Sequence, residues 1–222
     1  MALFDLDHTL VPFDTGMAWT QHLIAEGELE AHYADEYLAA CQAYVAGTLD
    51  ILALHRRMVG AIAGHPRPRL EALRASLSEA MQARVPQATR DAVAAHRAAG
   101  HACLIVTATT RYVAEAFAPL FGIDTVLATE PAVDAAGRWT GEVEGEPCFR
   151  AGKVRHVERW LQARGLSLAT AGPSWFYSDS ISDLPLLEAV DHPVAVRPDA
   201  RLAALAAERG WPIRRLDGSD PA

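Results

Sequence analysis

The stretch Phe4-Asp5-Leu6-Asp7-His8-Thr9-Leu10-Val11 decides how the rest of the chain is read. Apolar Ala2, Leu3 and Phe4 read as the end of a short buried strand, and two carboxylates follow with one residue between them. Side chains two apart on an extended chain point to the same side, so Asp5 and Asp7 can converge on one point. Converging carboxylates repel unless a cation or a shared proton lies between them. Mg²⁺ meets that need, because it takes one or two carboxylates and leaves its other positions to water and phosphate. An Asp-rich turn would carry the same two residues. A calcium loop also opens Asp-x-Asp, but it requires Gly at its sixth position and Glu at its twelfth, where this chain has Leu10 and Gly16.

Composition narrows the field. A chain of 222 residues can bury a substantial core as one domain, or as a core with a smaller inserted unit. Half the residues are hydrophobic, which suits a helix-rich globular protein. A net charge of −8 argues against non-specific nucleic-acid binding, and Arg56-Arg57 and Arg214-Arg215 are isolated pairs rather than a basic stripe. Cys41, Cys103 and Cys148 are far apart and odd in number, so buried thiols in a reducing compartment are expected. Acids within the first seven residues do not suit a secretory signal, and no apolar run approaches the ~18 residues a membrane helix needs. The expected setting is the cytoplasm, with neither nucleic acid nor membrane as a partner.

Downstream of Val11, residues 13–85 show helical periodicity and no convincing strand. Asp14-Thr15 can cap a helix with Trp19, Leu23 and Ile24; Tyr37, Leu38, Cys41, Tyr44 and Val45 mark a second, with Gly47 as its stop. Asp50 can cap a third, with Ile51, Leu54, Met58 and Ile62 on one face, and Leu70, Leu73, Leu77 and Met81 mark a fourth. From Pro86 the texture changes to alternating helices and short apolar strands: Ala102–Val106, Ile123–Ala128, Trp175–Tyr177, Val194–Val196 and a last one near Ile213. Residues 131–149 read as a hairpin, and residues 218–222 as a frayed tail. This pattern predicts a mainly parallel, three-layer α/β core over residues 1–12 and 86–222, with residues 13–85 as an all-helical insertion.

Active residues of open α/β sheets gather at the carboxyl ends of the strands. Four such ends carry reactive groups here: Asp5 with Asp7, Thr107 directly after Val106, Lys153 near the start of a helix, and Asp179 with Asp183 after Ser178. Singly, each has an ordinary reading as a strand end, a solvated helix lysine or a helix cap. Together, in this order, they resemble the four motifs of the haloacid dehalogenase superfamily, and within it the phosphoserine phosphatase branch. The hairpin Gly137–Gly145 and a helical cap placed right after the first motif extend the resemblance over nearly the whole chain.

That resemblance implies a Rossmann-like core with a helical cap, and a Mg²⁺-dependent phosphomonoester hydrolase acting on a small phosphorylated metabolite. Asp5 is then the nucleophile that forms an aspartyl-phosphate, and Asp7 the acid and base. Thr107 holds phosphoryl oxygens, and Lys153 offsets charge. The resemblance implies Mg²⁺ on Asp5, the Asp7 carbonyl and Asp179, with Asp183 orienting Lys153 or a metal-bound water. Departures from the phosphoserine pattern concern the substrate: Ala108 where Gly is common, Ser182 where Asn is, and Asp14 where Glu is usual. Arg56 falls where an arginine holds the substrate carboxylate. Alternative readings are a histidinol-phosphate or other amino-alcohol phosphate phosphatase, a phosphomutase, and an inactive binding protein on the same fold.

Overall fold

The computed structural model describes residues 1–217; the tail at residues 218–222 lies outside them. Its organising strand, β1 (Ala2–Phe4), is fully buried. Four helices follow with no strand between them: α1 (Thr15–Ala25), α2 (His32–Val45), α3 (Ile51–Gly60) and α4 (Arg67–Met81). Asp14 and Asp50 cap α1 and α3 as their sequence positions predict, accepting from the amides of Met17 and Ala53. Thereafter come α5 (Gln87–Ala98), β2 (Cys103–Thr110), α6 (Arg111–Phe117), β3 (Thr125–Val133), β4 (Trp139–Glu144) and α7 (Ala151–Gln162). The chain closes with β5 (Trp175–Ser178), α8 (Leu184–Leu187), β6 (His192–Val196), α9 (Ala200–Arg209) and β7 (Ile213–Arg214).

The seven strands form one sheet in the order β4-β3-β2-β1-β5-β6-β7, parallel except for the β3–β4 hairpin. Both faces are covered, and the period of two along each strand divides them. Ala2, Phe4, Ile105 and Val126 join the apolar sides of α1, α4, α5 and α6. Leu3, Leu104, Val106 and Phe176 join those of α7, α8 and α9 on the other face. This is the three-layer, Rossmann-like arrangement expected from the alternation of strands and helices.

Two strands run longer than their apolar stretches. β3 continues past Ala128 because its second half pairs with β4, Glu130 opposite Glu144 and Pro131 opposite Val143. β2 continues past Val106 with a break in register: Val106 pairs with Leu127 and Thr110 with Thr129, so β2 takes four steps where β3 takes two. The extra residues at 107–109 bulge out of the ladder, and bulges re-aim side chains.

The four inserted helices are not equally anchored. α1 and α4 place Trp19, Leu23, Leu70, Leu73 and Leu77 in the same apolar cluster as β1 and α6. α2 buries only Ala40, and α3 lies along β4. The three cysteines are unpaired, but only Cys148 is fully buried; Cys41 and Cys103 are partly exposed, which corrects the expectation of three buried thiols. Among the described residues no helix is long and apolar enough to cross a membrane.

Candidate active site

Because β2, β1 and β5 are adjacent and parallel, their carboxyl ends lie side by side. Asp5 leaves β1 with its amide bonded to the Tyr177 carbonyl at 2.9 Å. The chain then turns tightly through Leu6–Leu10, with His8 at φ 55°, in the left-handed region that a non-glycine residue rarely adopts. Arg197, just past β6, clamps this turn by donating to the His8 carbonyl at 2.9 Å and the Thr9 carbonyl at 2.6 Å.

Two donors fix the Asp7 carboxylate. The Thr15 amide reaches Oδ1 at 2.5 Å and the Thr109 hydroxyl reaches Oδ2 at 2.6 Å. Thr109 comes from the β2 bulge, which the Thr129 hydroxyl pins by donating to the Ala108 carbonyl at 2.8 Å. Thr107, read from sequence as the strand-end group, is fully buried inside β2, and its hydroxyl accepts the Thr109 amide at 3.2 Å. The surface that β2 gives to the cleft is therefore Ala108 and Thr109.

Lys153, 2 % exposed, donates to Asp5 Oδ1 at 2.8 Å and to Asp183 Oδ2 at 2.6 Å. Asp183 is held in turn by the Ser178 hydroxyl at 2.7 Å. The start of α7 comes this close because residue 152 is glycine: a Cβ there would collide with the Pro147 carbonyl oxygen. Asp179 completes the group, its Oδ1 accepting the Thr9 hydroxyl at 3.3 Å.

Electrostatics here are one-sided. Burial pushes the Asp5 carboxyl well above the usual range; Lys153 opposes that, and Asp183, Asp179 and Asp7 add to it. Burial likewise pushes Asp179 up to about 6 against the pull of His8. For Lys153 burial favours the neutral amine, but Asp183 and Asp5 outweigh it and hold the ammonium charged. Four carboxylates thus share one ammonium. Among the described residues no three His, Cys, Asp or Glu side chains close into a metal cage. Hard oxygen donors in negative excess, without a cage, fit Mg²⁺ better than an ion that needs an all-protein shell. The carboxylates of Asp5 and Asp179, both lining this cleft, would be among the donors to Mg²⁺.

Above this floor lies a cleft of about 260 Å³, walled by the inserted helices. Asp14 lines it, with Oδ1 accepting both the Met17 amide and the Tyr37 hydroxyl at 2.7 Å. Burial, followed by the nearby Asp7, pushes the Asp14 carboxyl up. Gly16 lets Tyr37 approach, since a Cβ there would collide with its hydroxyl. From α3, Ile51, Leu54 and Met58 face the cleft, and His55 sits within that apolar stripe. His55 is 2 % exposed and neither ring nitrogen has a hydrogen-bond partner. Burial pushes its pKa down to about 4, so the ring is neutral.

Arg56, which the resemblance put beside a substrate carboxylate, is turned away from the cleft. Its side chain is 49 % exposed and donates from Nε to Glu142 of β4 at 2.6 Å. Lys153 is the one lysine or arginine lining the cleft among the described residues, and both its partners are carboxylates. The structure brings Asp5, Asp7, Lys153, Asp179 and Asp183, all singled out in the sequence, around one cleft, with Asp14 and Ala108 at its edge. Sequence reasoning missed Thr15, Thr109 and His55. Only His55 left a signal, a polar residue four positions after Ile51 and three before Met58 in an apolar stripe.

Comparison with known proteins identifies the family of this chain. A family model described as haloacid dehalogenase-like hydrolase matches residues 2–188. A histidinol-phosphatase of Neisseria meningitidis is 36% identical over 219 residues, covering 96% of this chain and 97% of that protein. A phosphoserine phosphatase of Mycobacterium tuberculosis, SerB1, is 32% identical over 220 residues, covering 96% of this chain and 70% of that protein. The crystal structure of a protein of unknown function from Bordetella pertussis superposes with a TM-score of 0.90 at 37% identity, covering 97% of this chain and 98% of that one. With its motifs in order at the strand ends and the family match spanning most of its length, this chain belongs to the haloacid dehalogenase-like hydrolases.

Proposed function

We propose that this hydrolase cleaves a small phosphomonoester with Mg²⁺ as its cofactor, and that the substrate carries an amine and no carboxylate, as histidinol phosphate does. Asp5 attacks phosphorus, forming a P–O bond as the bond to the leaving alcohol breaks. Asp7 gives its proton to the leaving oxygen, then takes one from the water that attacks the aspartyl-phosphate and frees Asp5 and inorganic phosphate. Thr15 and Thr109 hold the Asp7 carboxylate in one orientation through both steps. Lys153, oriented by Asp183, stays charged beside Asp5 and stabilises the charge that builds on the phosphoryl oxygens. When bound, Mg²⁺ would neutralise the carboxylate excess and orient the phosphoryl group against Asp5.

The observation that carries the substrate reading is the charge of the cleft. Its one ammonium is engaged by Asp5 and Asp183, and no guanidinium lines it among the described residues. Phosphoserine would bring a carboxylate toward Asp5, Asp7, Asp14 and Asp179 with no arginine to meet it. An ammonium would meet Asp14, whose Oδ2 has no hydrogen-bond partner among the described residues. The name of the Neisseria relative supports the same direction. Phosphate release from histidinol phosphate and from phosphoserine, with Mg²⁺ and with EDTA, tests this. We expect histidinol phosphate to be favoured by about tenfold or more in kcat/KM, in line with one lost charge pairing, and EDTA to stop both. Preference for phosphoserine would reverse the substrate assignment, and turnover in EDTA would remove the metal.

A further inference from the structure

Among all the buried polar side-chain atoms of the described residues, three lack a hydrogen-bond partner, and two of them are the ring nitrogens of His55. Buried polar groups in native proteins are nearly always bonded, so an orphaned imidazole calls for an explanation. A neutral imidazole offers one N–H donor and one bare acceptor. Here both are unused, at a residue 2 % exposed, on the wall of the cleft that holds Asp5 and Asp7. Tyr37, which lines the same cleft, gives its hydroxyl to Asp14, and Ile51, Leu54 and Met58 on the same helix offer no strong partner.

We propose that His55 is the specificity-determining residue of the cap, hydrogen-bonding a nitrogen-bearing group of the substrate beyond its phosphate. This rests on the phosphatase reading above and adds the contact that distinguishes one ester from another. The two polar groups of the wall divide the work. Asp14 meets the ammonium; His55 meets a neutral donor or acceptor, such as an imidazole nitrogen. A neutral ring in an apolar stripe is poorly suited to a carboxylate, which would need a charged donor. It suits a partner that presents either an N–H or a lone pair, because the imidazole can supply the complement of each. A site built around such a bond rejects analogues that cannot make it, since the ring is then left buried and unpaired.

The same geometry separates this role from a structural one. A histidine that served the fold would lose stability when replaced by an apolar residue. An unbonded imidazole in an apolar stripe should gain it. The test uses Asp5→Asn protein with Mg²⁺, so that bound histidinol phosphate is not consumed. Its affinity is measured by calorimetry with His55 intact, with His55→Leu and with His55→Gln, alongside the melting temperature of each ligand-free protein. We expect His55→Leu to weaken binding by about tenfold or more, the loss of one hydrogen bond at a buried site, and to raise the melting temperature by a few degrees. His55→Gln, which keeps a donor and an acceptor, should recover most of the affinity. Unchanged affinity in His55→Leu overturns the proposal, and so does a fall in both affinity and melting temperature that His55→Gln does not relieve. No binding of histidinol phosphate to the protein with His55 intact also overturns it. Hydrolysis is scored separately on the protein with Asp5 in place: if no phosphomonoester is cleaved there, the phosphatase reading falls, while the calorimetry still decides His55.

Discussion

The floor of the cleft and the wall above it treat buried polar groups in opposite ways. On the floor, Lys153 bonds both Asp5 and Asp183, Asp183 accepts from Ser178, and Asp7 accepts from Thr15 and Thr109. On the wall, Asp14 has one oxygen engaged and His55 has no partner at all. The floor is preorganised for chemistry that is the same for every phosphate ester, so its bonds can be made in advance. The wall must tell esters apart, so its bonds are left for the substrate to complete. Such a division concentrates stability in the core strands and leaves its cost at the site of selection.

The largest effect should come from the floor. Asp5→Asn should lower phosphate release by several orders of magnitude, because an amide of the same shape is a poor nucleophile. Its far-UV circular dichroism should be unchanged, and turnover above about a hundredth of the original would refute the covalent route. Next is Lys153→Met, which leaves Asp5 and Asp183 buried without their shared ammonium. Removing one member of a buried ion pair costs roughly 3–5 kcal/mol, so a denaturant midpoint near that of the parent protein would mean the floor is not organised around this lysine. Thr109→Val removes one of the two donors to Asp7 while keeping the shape of the side chain. Loss of a hydrogen bond to a charged group is worth about 1.5–3 kcal/mol, and kcat should fall by about ten- to a hundredfold with little change in KM.

The wall should respond more gently. His55 has its folded pKa pushed down to about 4 from an ordinary value near 6.5, so between those values the unfolded chain binds the extra proton. Stability from this residue is therefore complete above pH 6.5 and declines as the pH falls toward 4. His55→Leu should flatten the decline without abolishing it, because His96 carries a similar downward shift to about 4. Equal slopes in the two proteins would mean that the ring is not held neutral. Smallest of all, Arg56→Ala removes only a solvent-screened pairing with Glu142 at the surface, and turnover should stay within a few-fold of the parent protein. Any loss of turnover beyond a few-fold would bring Arg56 back into the cleft.

Much of the floor was legible because its spacing is short-range. Asp5 and Asp7 are two apart at a strand end, Asp179 directly follows β5, and the alternation of apolar strands with helices fixes which ends are neighbours. Thr109 was not legible, because a bulge depends on where β2 and β3 lose register rather than on the apolar run of β2. The exchange of Arg56 for His55 is more instructive. Adjacent helix residues diverge by about 100°, enough to carry one into the cleft and the next to solvent. Motif position favoured the arginine, whereas the stripe of Ile51, Leu54 and Met58 contained the histidine. The helical period was the better guide to which side chain meets the cleft.

The unequal anchoring of the inserted helices has a consequence for motion. α1 and α4 are sealed into the cluster that also holds β1 and α6, so swinging all four helices as one body would tear open the main core. α2 buries a single alanine and exposes Leu38 and Val45, and α3 rests on a hairpin at the edge of the sheet. A shift of the α2–α3 pair, which carries Tyr37 and His55, would therefore disturb less of the main core than a shift of α1 or α4. Of the two polar groups proposed to meet the substrate, His55 rides on the α2–α3 pair, whereas Asp14 caps the anchored α1 and is held with the floor.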